Sequence, residues 1–245
     1  MSRTPLLGLR QLKKHLGSKL ILDIDSLDLN AAEAVLLCGR NGAGKSTLLK
    51  ILAGLESYNE GLLLYNGQPI PTSRFRFRHY AKPLLSRVIY LHQQPFLFDL
   101  SVSDNLAYGL KCRKVPKAEQ LRIVEEALEW SGLQDLAERN AKTLSGGEMQ
   151  RIALARAWVL KPELLLMDEP VANMDTESRE QTSFLIRRLL AQGTGVVVCS
   201  HEIKTDNRLF DRVLYLDKGQ INASRKRQPG SATPKRLQIV QTAAP

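Results

Sequence analysis

The stretch Val35-Leu36-Leu37-Cys38-Gly39-Arg40-Asn41-Gly42-Ala43-Gly44-Lys45-Ser46-Thr47-Leu48-Leu49-Lys50-Ile51-Leu52-Ala53 decides the fold of this chain. Its first four residues are an unbroken apolar run, the pattern of a strand buried on both faces. From Ser46 to Ala53 the spacing predicts a helix, with Gly54 placed to close it. Between strand and helix, Gly39, Arg40, Asn41, Gly42, Ala43, Gly44, Lys45 and Ser46 match GxxxxGK[ST]. Glycines there let consecutive backbone N–H groups turn inward around phosphates without Cβ clashes. The new helix presents the positive end of its dipole to the same anion. Lys45 can reach the β- and γ-phosphates, the Ser46 hydroxyl can coordinate magnesium, and Thr47 stands beside it in the first turn. A glycine-rich turn with an incidental lysine is the plainer reading, but the strand–loop–helix context argues against it. A nucleoside triphosphate is the expected ligand, with Mg2+.

Working outward, Leu164-Leu165-Leu166-Met167-Asp168-Glu169-Pro170 is an apolar run ending in two acids. Acids at the C-terminal end of a parallel strand lie on the rim where open α/β sheets bind ligands. Asp168 is expected to hold magnesium and Glu169 to polarise the attacking water. On its own such a pair equally suits a surface turn; beside a phosphate loop the catalytic reading is favoured. Val196-Val197-Val198-Cys199-Ser200-His201 has the same form, so His201 is expected to sense the γ-phosphate, although a lone histidine is more often structural. Gln93, in Val88-Ile89-Tyr90-Leu91-His92-Gln93-Gln94-Pro95, is a candidate magnesium ligand and is favoured over its neighbour Gln94.

Around these motifs the pattern changes twice. Residues 6–30 read as short strands, with alternation in Leu22-Asp23-Ile24-Asp25. Residues 101–160 carry helical spacing, for example Leu121, Val124, Leu128 and Ser131, with Gly132 as a stop. Strands alternating with helices elsewhere imply a parallel α/β core, with the helical block inserted into it. The expected division is a core of about 1–94 and 161–222, a helical subdomain of about 95–160, and a flexible basic tail at 223–245.

The composition, 43% hydrophobic and 24% charged over 245 residues, is that of a globular protein. No apolar run approaches the ~20 residues of a bilayer helix. The N-terminus is broken by Arg, Gln and Lys before a secretion-type core forms, so a cytoplasmic start is expected. Cys38, Cys112 and Cys199 form no CxxC pair and read as free thiols, the first and last as small buried hydrophobes. The net charge of +10 concentrates only in Arg74-Phe75-Arg76-Phe77-Arg78-His79-Tyr80 and the tail. A solvated basic face with a disordered tail accounts for it without a nucleic acid, and attraction to anionic lipid headgroups is equally compatible.

Leu144-Ser145-Gly146-Gly147-Glu148, followed by Met149-Gln150-Arg151, resembles the signature motif of ABC ATPases. Physically, a serine cap and two glycines bare the first N–H groups of a helix, making a second anion site. The resemblance extends over about residues 6–222. It identifies Gln93 with the Q-loop, Asp168 and Glu169 with the Walker B pair, Ala172-Asn173-Met174-Asp175 with the D-loop, and His201 with the switch histidine. It implies a P-loop NTPase core, mainly a parallel sheet flanked by helices with an antiparallel β subdomain, plus an inserted α-helical subdomain. It also implies a head-to-tail homodimer in which Ser145, Gly146, Gly147 and Glu148 meet the ATP of the partner subunit. A separate integral membrane permease, a solute-binding protein outside the membrane, and a place on the inner face of the cell membrane follow from the same likeness. The 91–99 and 104–110 segments are most similar to bacterial importer cassettes, tungstate and related oxyanion importers nearest. The short tail departs from sugar-importer ATPases, which carry a further C-terminal domain. A second departure is at the adenine platform, where the family has an aromatic residue and this chain has Leu16 beside His15. The competing reading, a non-transport ABC ATPase acting on nucleic acid or ribosomes, lacks both a second cassette and a coiled-coil insertion.

Overall fold

The computed structural model describes residues 4–70, 82–172, 174–201 and 209–226. Two sheets enclose one helix. The first is antiparallel, in the order β2-β1-β4-β5, from β1 (Leu7–Leu16), β2 (Lys19–Leu29), β4 (Glu60–Tyr65) and β5 (Gln68–Ile70). The second has the order β10-β9-β3-β8-β7-β6, from β3 (Ala34–Cys38), β6 (Val88–Leu91), β7 (Leu164–Asp168), β8 (Gly195–Ser200), β9 (Arg212–Asp217) and β10 (Gln220–Lys226). All its pairings are parallel except that of the edge strand β10 with β9. This is the expected α/β architecture.

The helix α1 (Lys45–Leu52) lies between the sheets. Its Leu48, Leu49, Ile51 and Leu52 share a core with Leu7, Leu9, Leu12 and Leu22, and with Val35, Leu37, Leu164 and Leu166 of the second sheet. The alternate residues Ala34, Leu36, Leu165, Met167, Val196 and Val198 face a second core beneath the helical block. β3, β7 and β8 are covered on both faces, so each strand must be apolar throughout. That block comprises α3 (Val102–Cys112), α4 (Lys117–Ser131) and α5 (Gly146–Trp158), packed against one another and, through α5, against α6 (Thr176–Ala191). A short helix α2 (Lys82–Leu85) precedes β6.

Two expectations are corrected. The N-terminal strands are not short: β1 has ten residues and β2 eleven. A bulge with Gln11 at φ 47° interrupts the pairing of β1 with β4 without ending the strand. Leu121 keeps the expected helical spacing but is 64% exposed, since the buried positions of α4 begin at Ile123. The chain also stays in the sheet past the boundary drawn at 222, since Ala223, Ser224, Arg225 and Lys226 pair with β9. The basic run at 74–80 and the tail from 227 onward lie outside the described residues.

Candidate functional site

Where β3 ends, the chain must pass its neighbour β9 closely. A Cβ on Gly39 would sit 2.3 Å from the Leu216 carbonyl oxygen, so only glycine fits there. Gly44 has φ 103°, and a Cβ on it would meet Leu22 of β2 at 2.7 Å. The two sheets thus hold the loop from both sides. Gly42 is also left-handed, Arg40, Asn41 and Ser46 are exposed, Ala43 is buried and Thr47 is half-buried. No side chain caps α1, which leaves its first N–H groups to a ligand. Lys45 is buried, and its ammonium donates to the carbonyls of Gly39 at 2.8 Å and Arg40 at 3.3 Å. The cation is therefore held inside the loop.

The ends of β6, β7 and β8 converge on one acid. Glu169 follows β7 with φ 48°, a left-handed conformation that its N–H donation to the Cys199 carbonyl helps to hold. The Gln93 amide donates to Glu169 Oε2 at 3.3 Å, and His201 Nδ1 lies 3.1 Å from Oε1. Gln93 is thereby brought to the acid. Asp168 is buried at the last position of β7, where the Tyr90 hydroxyl donates to its Oδ2 at 3.0 Å. Burial, and then the Asp168 charge, push the Tyr90 hydroxyl up, so it stays a donor. Burial likewise pushes the Cys38 thiol up to about 11, against the pull of Lys45, and raises Cys199. Both are buried free thiols, as expected.

A second group lies at the N-termini of α5 and α6. Ser145 caps α5 in a reciprocal capping box: its N–H donates to Glu148 Oε2 at 2.8 Å and its hydroxyl accepts from the Glu148 N–H at 3.3 Å. The Ser145 N–H, and then its hydroxyl, which donates to the same Oε2 at 2.8 Å, hold the Glu148 carboxyl below the usual range. A Cβ on Gly146 would meet open space, whereas one on Gly147 would lie 2.3 Å from Ser178 Oγ. Ser178 in turn donates its N–H and hydroxyl to Asp175, the cap of α6, at 2.8 and 3.1 Å. Asp175 is exposed, and the Ser178 N–H lowers its carboxyl. Asn173 lies outside the described residues. Leu16, at the end of the β1–β2 hairpin, is 71% exposed and presents a bare aliphatic surface.

Ser46, Asp168 and Gln93 supply hydroxyl, carboxylate and amide oxygens, a hard donor set that suits magnesium. The glycine cradle and enclosed ammonium suit a polyphosphate. Sequence reasoning did not single out Tyr90 or Ser178. The only available signal at Tyr90 was a polar-tipped aromatic two positions before His92 in an apolar strand.

Strand, glycine loop and helix, with acid, glutamine and histidine at adjacent strand ends, define a P-loop nucleotide-binding cassette. Residues 22–172 match the family described as "ABC transporter". The chain belongs to that family and carries its ATP-binding domain. It is 34% identical to the spermidine/putrescine import ATP-binding protein PotA of Haemophilus influenzae, over 90% of this chain and 58% of that protein. It is 37% identical to the molybdate/tungstate import ATP-binding protein WtpC of Pyrococcus horikoshii, over 80% of this chain and 55% of that protein. The chain thus spans little more than half the length of these relatives. Among solved structures it is similar to cbiO1 from Clostridium perfringens, part of the cbiONQ complex, with TM-score 0.83, 25% identity and coverage of 91% and 89%. It is also similar to a dimeric ATP-binding cassette in a post-hydrolysis state bound to ADP and Pi, with TM-score 0.76, 27% identity and coverage of 90% and 98%. Among the described residues no helix is long and apolar enough to cross a membrane.

Proposed function

We propose that this chain hydrolyses ATP as the motor subunit of an importer, closing as a head-to-tail homodimer on two ATP molecules. One observation carries the reading: both carboxylate oxygens of Glu169 are met by groups from neighbouring strand ends, Gln93 and His201. That arrangement supports Glu169 as the general base at the end of β7, with Gln93 and His201 as two reporters of what occupies the loop. Lys45 and the backbone N–H groups of the loop bind the β- and γ-phosphates. Ser46, Gln93 and Asp168 would hold magnesium, which when bound would neutralise charge on the phosphate oxygens. Glu169 orients the water and takes its proton, and His201 holds the base and the γ-phosphate in register. Ser145, Gly146 and Gly147 offer the start of α5 to the ATP of the partner subunit, so neither site is complete within one chain. Adenine rests on the apolar surface of Leu16.

The engine works at the inner face of the membrane. Phe96, 75% exposed beside Phe98 and Tyr108 at the edge of the helical block, is the docking surface for a permease segment. A solute-binding protein completes the importer. The relatives named above import a polyamine and an oxyanion, and we assign a small oxyanion of the tungstate type as cargo. The likeness to WtpC supports that choice. Replacing Glu169 with Gln is expected to leave nucleotide binding intact and cut turnover by roughly 10²–10⁴-fold. A dimer trapped with ATP should then elute at twice the monomer mass. Undiminished hydrolysis would remove Glu169 as the base.

A further inference from the structure

Tyr90 stands outside the motifs of the cassette, yet it touches one of them and the neighbour of another. Its register partner on β7 is Leu166, which puts its ring on the face of the sheet that carries Asp168 two residues on. The hydroxyl donates to Asp168 Oδ2 at 3.0 Å, and the ring meets the edge of His92 with centroids 4.6 Å apart. His92 precedes Gln93. One side chain therefore braces the carboxylate directly and, through His92, the start of the loop that carries Gln93. The ring packs against the core that holds α1, so the hydroxyl has a fixed origin.

We infer that Tyr90 is a positioning residue for the divalent cation, holding Oδ2 of Asp168 by a hydrogen bond so that Oδ1 is left to face the metal or a water bound to it. The inference rests on the reading of Asp168 as a magnesium ligand. An acidic group buried at a strand end can rotate about its last torsion; a donor on one oxygen stops that rotation and lowers the cost of binding a cation at the other. Hydrogen-bond partners of this kind typically carry 10–100-fold of metal affinity when removed. The ligand class is a hard divalent ion, for which Mn2+ is a measurable substitute.

The test compares Tyr90→Phe, Asp168→Asn and the unsubstituted protein, each with a non-hydrolysable ATP analogue. Mn2+ affinity is titrated by electron paramagnetic resonance, and analogue affinity is measured separately in EDTA. Phenylalanine keeps the ring on His92 and in the core, and a melting curve monitors folding. The expected result is Mn2+ binding weakened about 10-fold or more in Tyr90→Phe, with the analogue affinity in EDTA unchanged within twofold. Loss of Mn2+ binding in Asp168→Asn with none in Tyr90→Phe would overturn the role of Tyr90 alone. Unchanged Mn2+ binding in Asp168→Asn would overturn the reading of Asp168 itself, and the inference with it. Equal weakening with and without the metal would assign Tyr90 to loop shape, against the proposal.

Discussion

Glu169 holds φ 48° where β7 turns away from the sheet, although a side chain in that region costs about 1 kcal/mol relative to glycine. The conformation aims the carboxylate back at the ends of β6 and β8, where Gln93 and His201 meet it. At the same scale the two signature glycines separate in role. Gly146 has open space before it, as a residue that approaches a ligand requires, whereas Gly147 lacks a side chain because Ser178 occupies its place. Gly147→Ala should therefore lower turnover by displacing the D-loop side of the molecule, and Ser178→Gly in the same chain should recover much of it. Ser178→Ala should not, because Ser178 Cβ would itself lie 2.8 Å from the new methyl. ATPase rates of the three variants decide the point, and failure of the glycine double variant would show that the room left for Ser178 is not what Gly147 is needed for.

The helices α5 and α6 begin side by side, and at each start one acid of the cap, Glu148 or Asp175, is held below its ordinary titration range. Glu148 owes this first to the Ser145 N–H, and Asp175 to the Ser178 N–H. A folded-state value depressed below the unfolded one stabilises the fold above the unfolded value and loses that contribution as pH falls through the folded one. These two helix starts should accordingly loosen on acidification below about pH 4, the ordinary carboxylate range. Amide hydrogen exchange at Glu148 and Ser178, corrected for its intrinsic pH dependence, should show protection falling there while the central strands of the sheet hold theirs. Protection that tracks the sheet instead would mean that the caps contribute little.

Across the whole molecule, the phosphate loop sits between two sheets while Ser145 sits at the start of a helix in the inserted block. The proposed dimer joins the loop of one copy to the signature of the other. Mixing two inactive proteins tests this directly. In a dimer of Lys45→Ala with Ser145→Arg, one site carries both lesions and the other carries none. The mixture should thus regain a fraction of ATPase activity that neither homodimer shows. No recovery, with mixed dimers demonstrated by differential tagging, would place both motifs on the same ATP.

The glycine loop, the acid pair at 168 and 169, His201 and the signature were all legible in the chain, because each is a local device. A strand run, a turn and a helix cap depend on residues within a few positions of one another. The parallel core was legible too, since a strand covered on both faces must be apolar along its whole length. Other features came only from packing across distant segments. The hydrogen bond between Gln93 and Glu169 depends on where β6 ends relative to β7, and the need for glycine at 147 depends on Ser178. The hydrogen bond from Tyr90 to Asp168 depends on parallel register, and the exposure of Leu121 on where the neighbouring helices stop. The sequence by itself determined the chemistry available at each strand and helix end; the tertiary structure decided which of those ends meet. Contacts between strands far apart in the chain leave no periodic or local signal in either one.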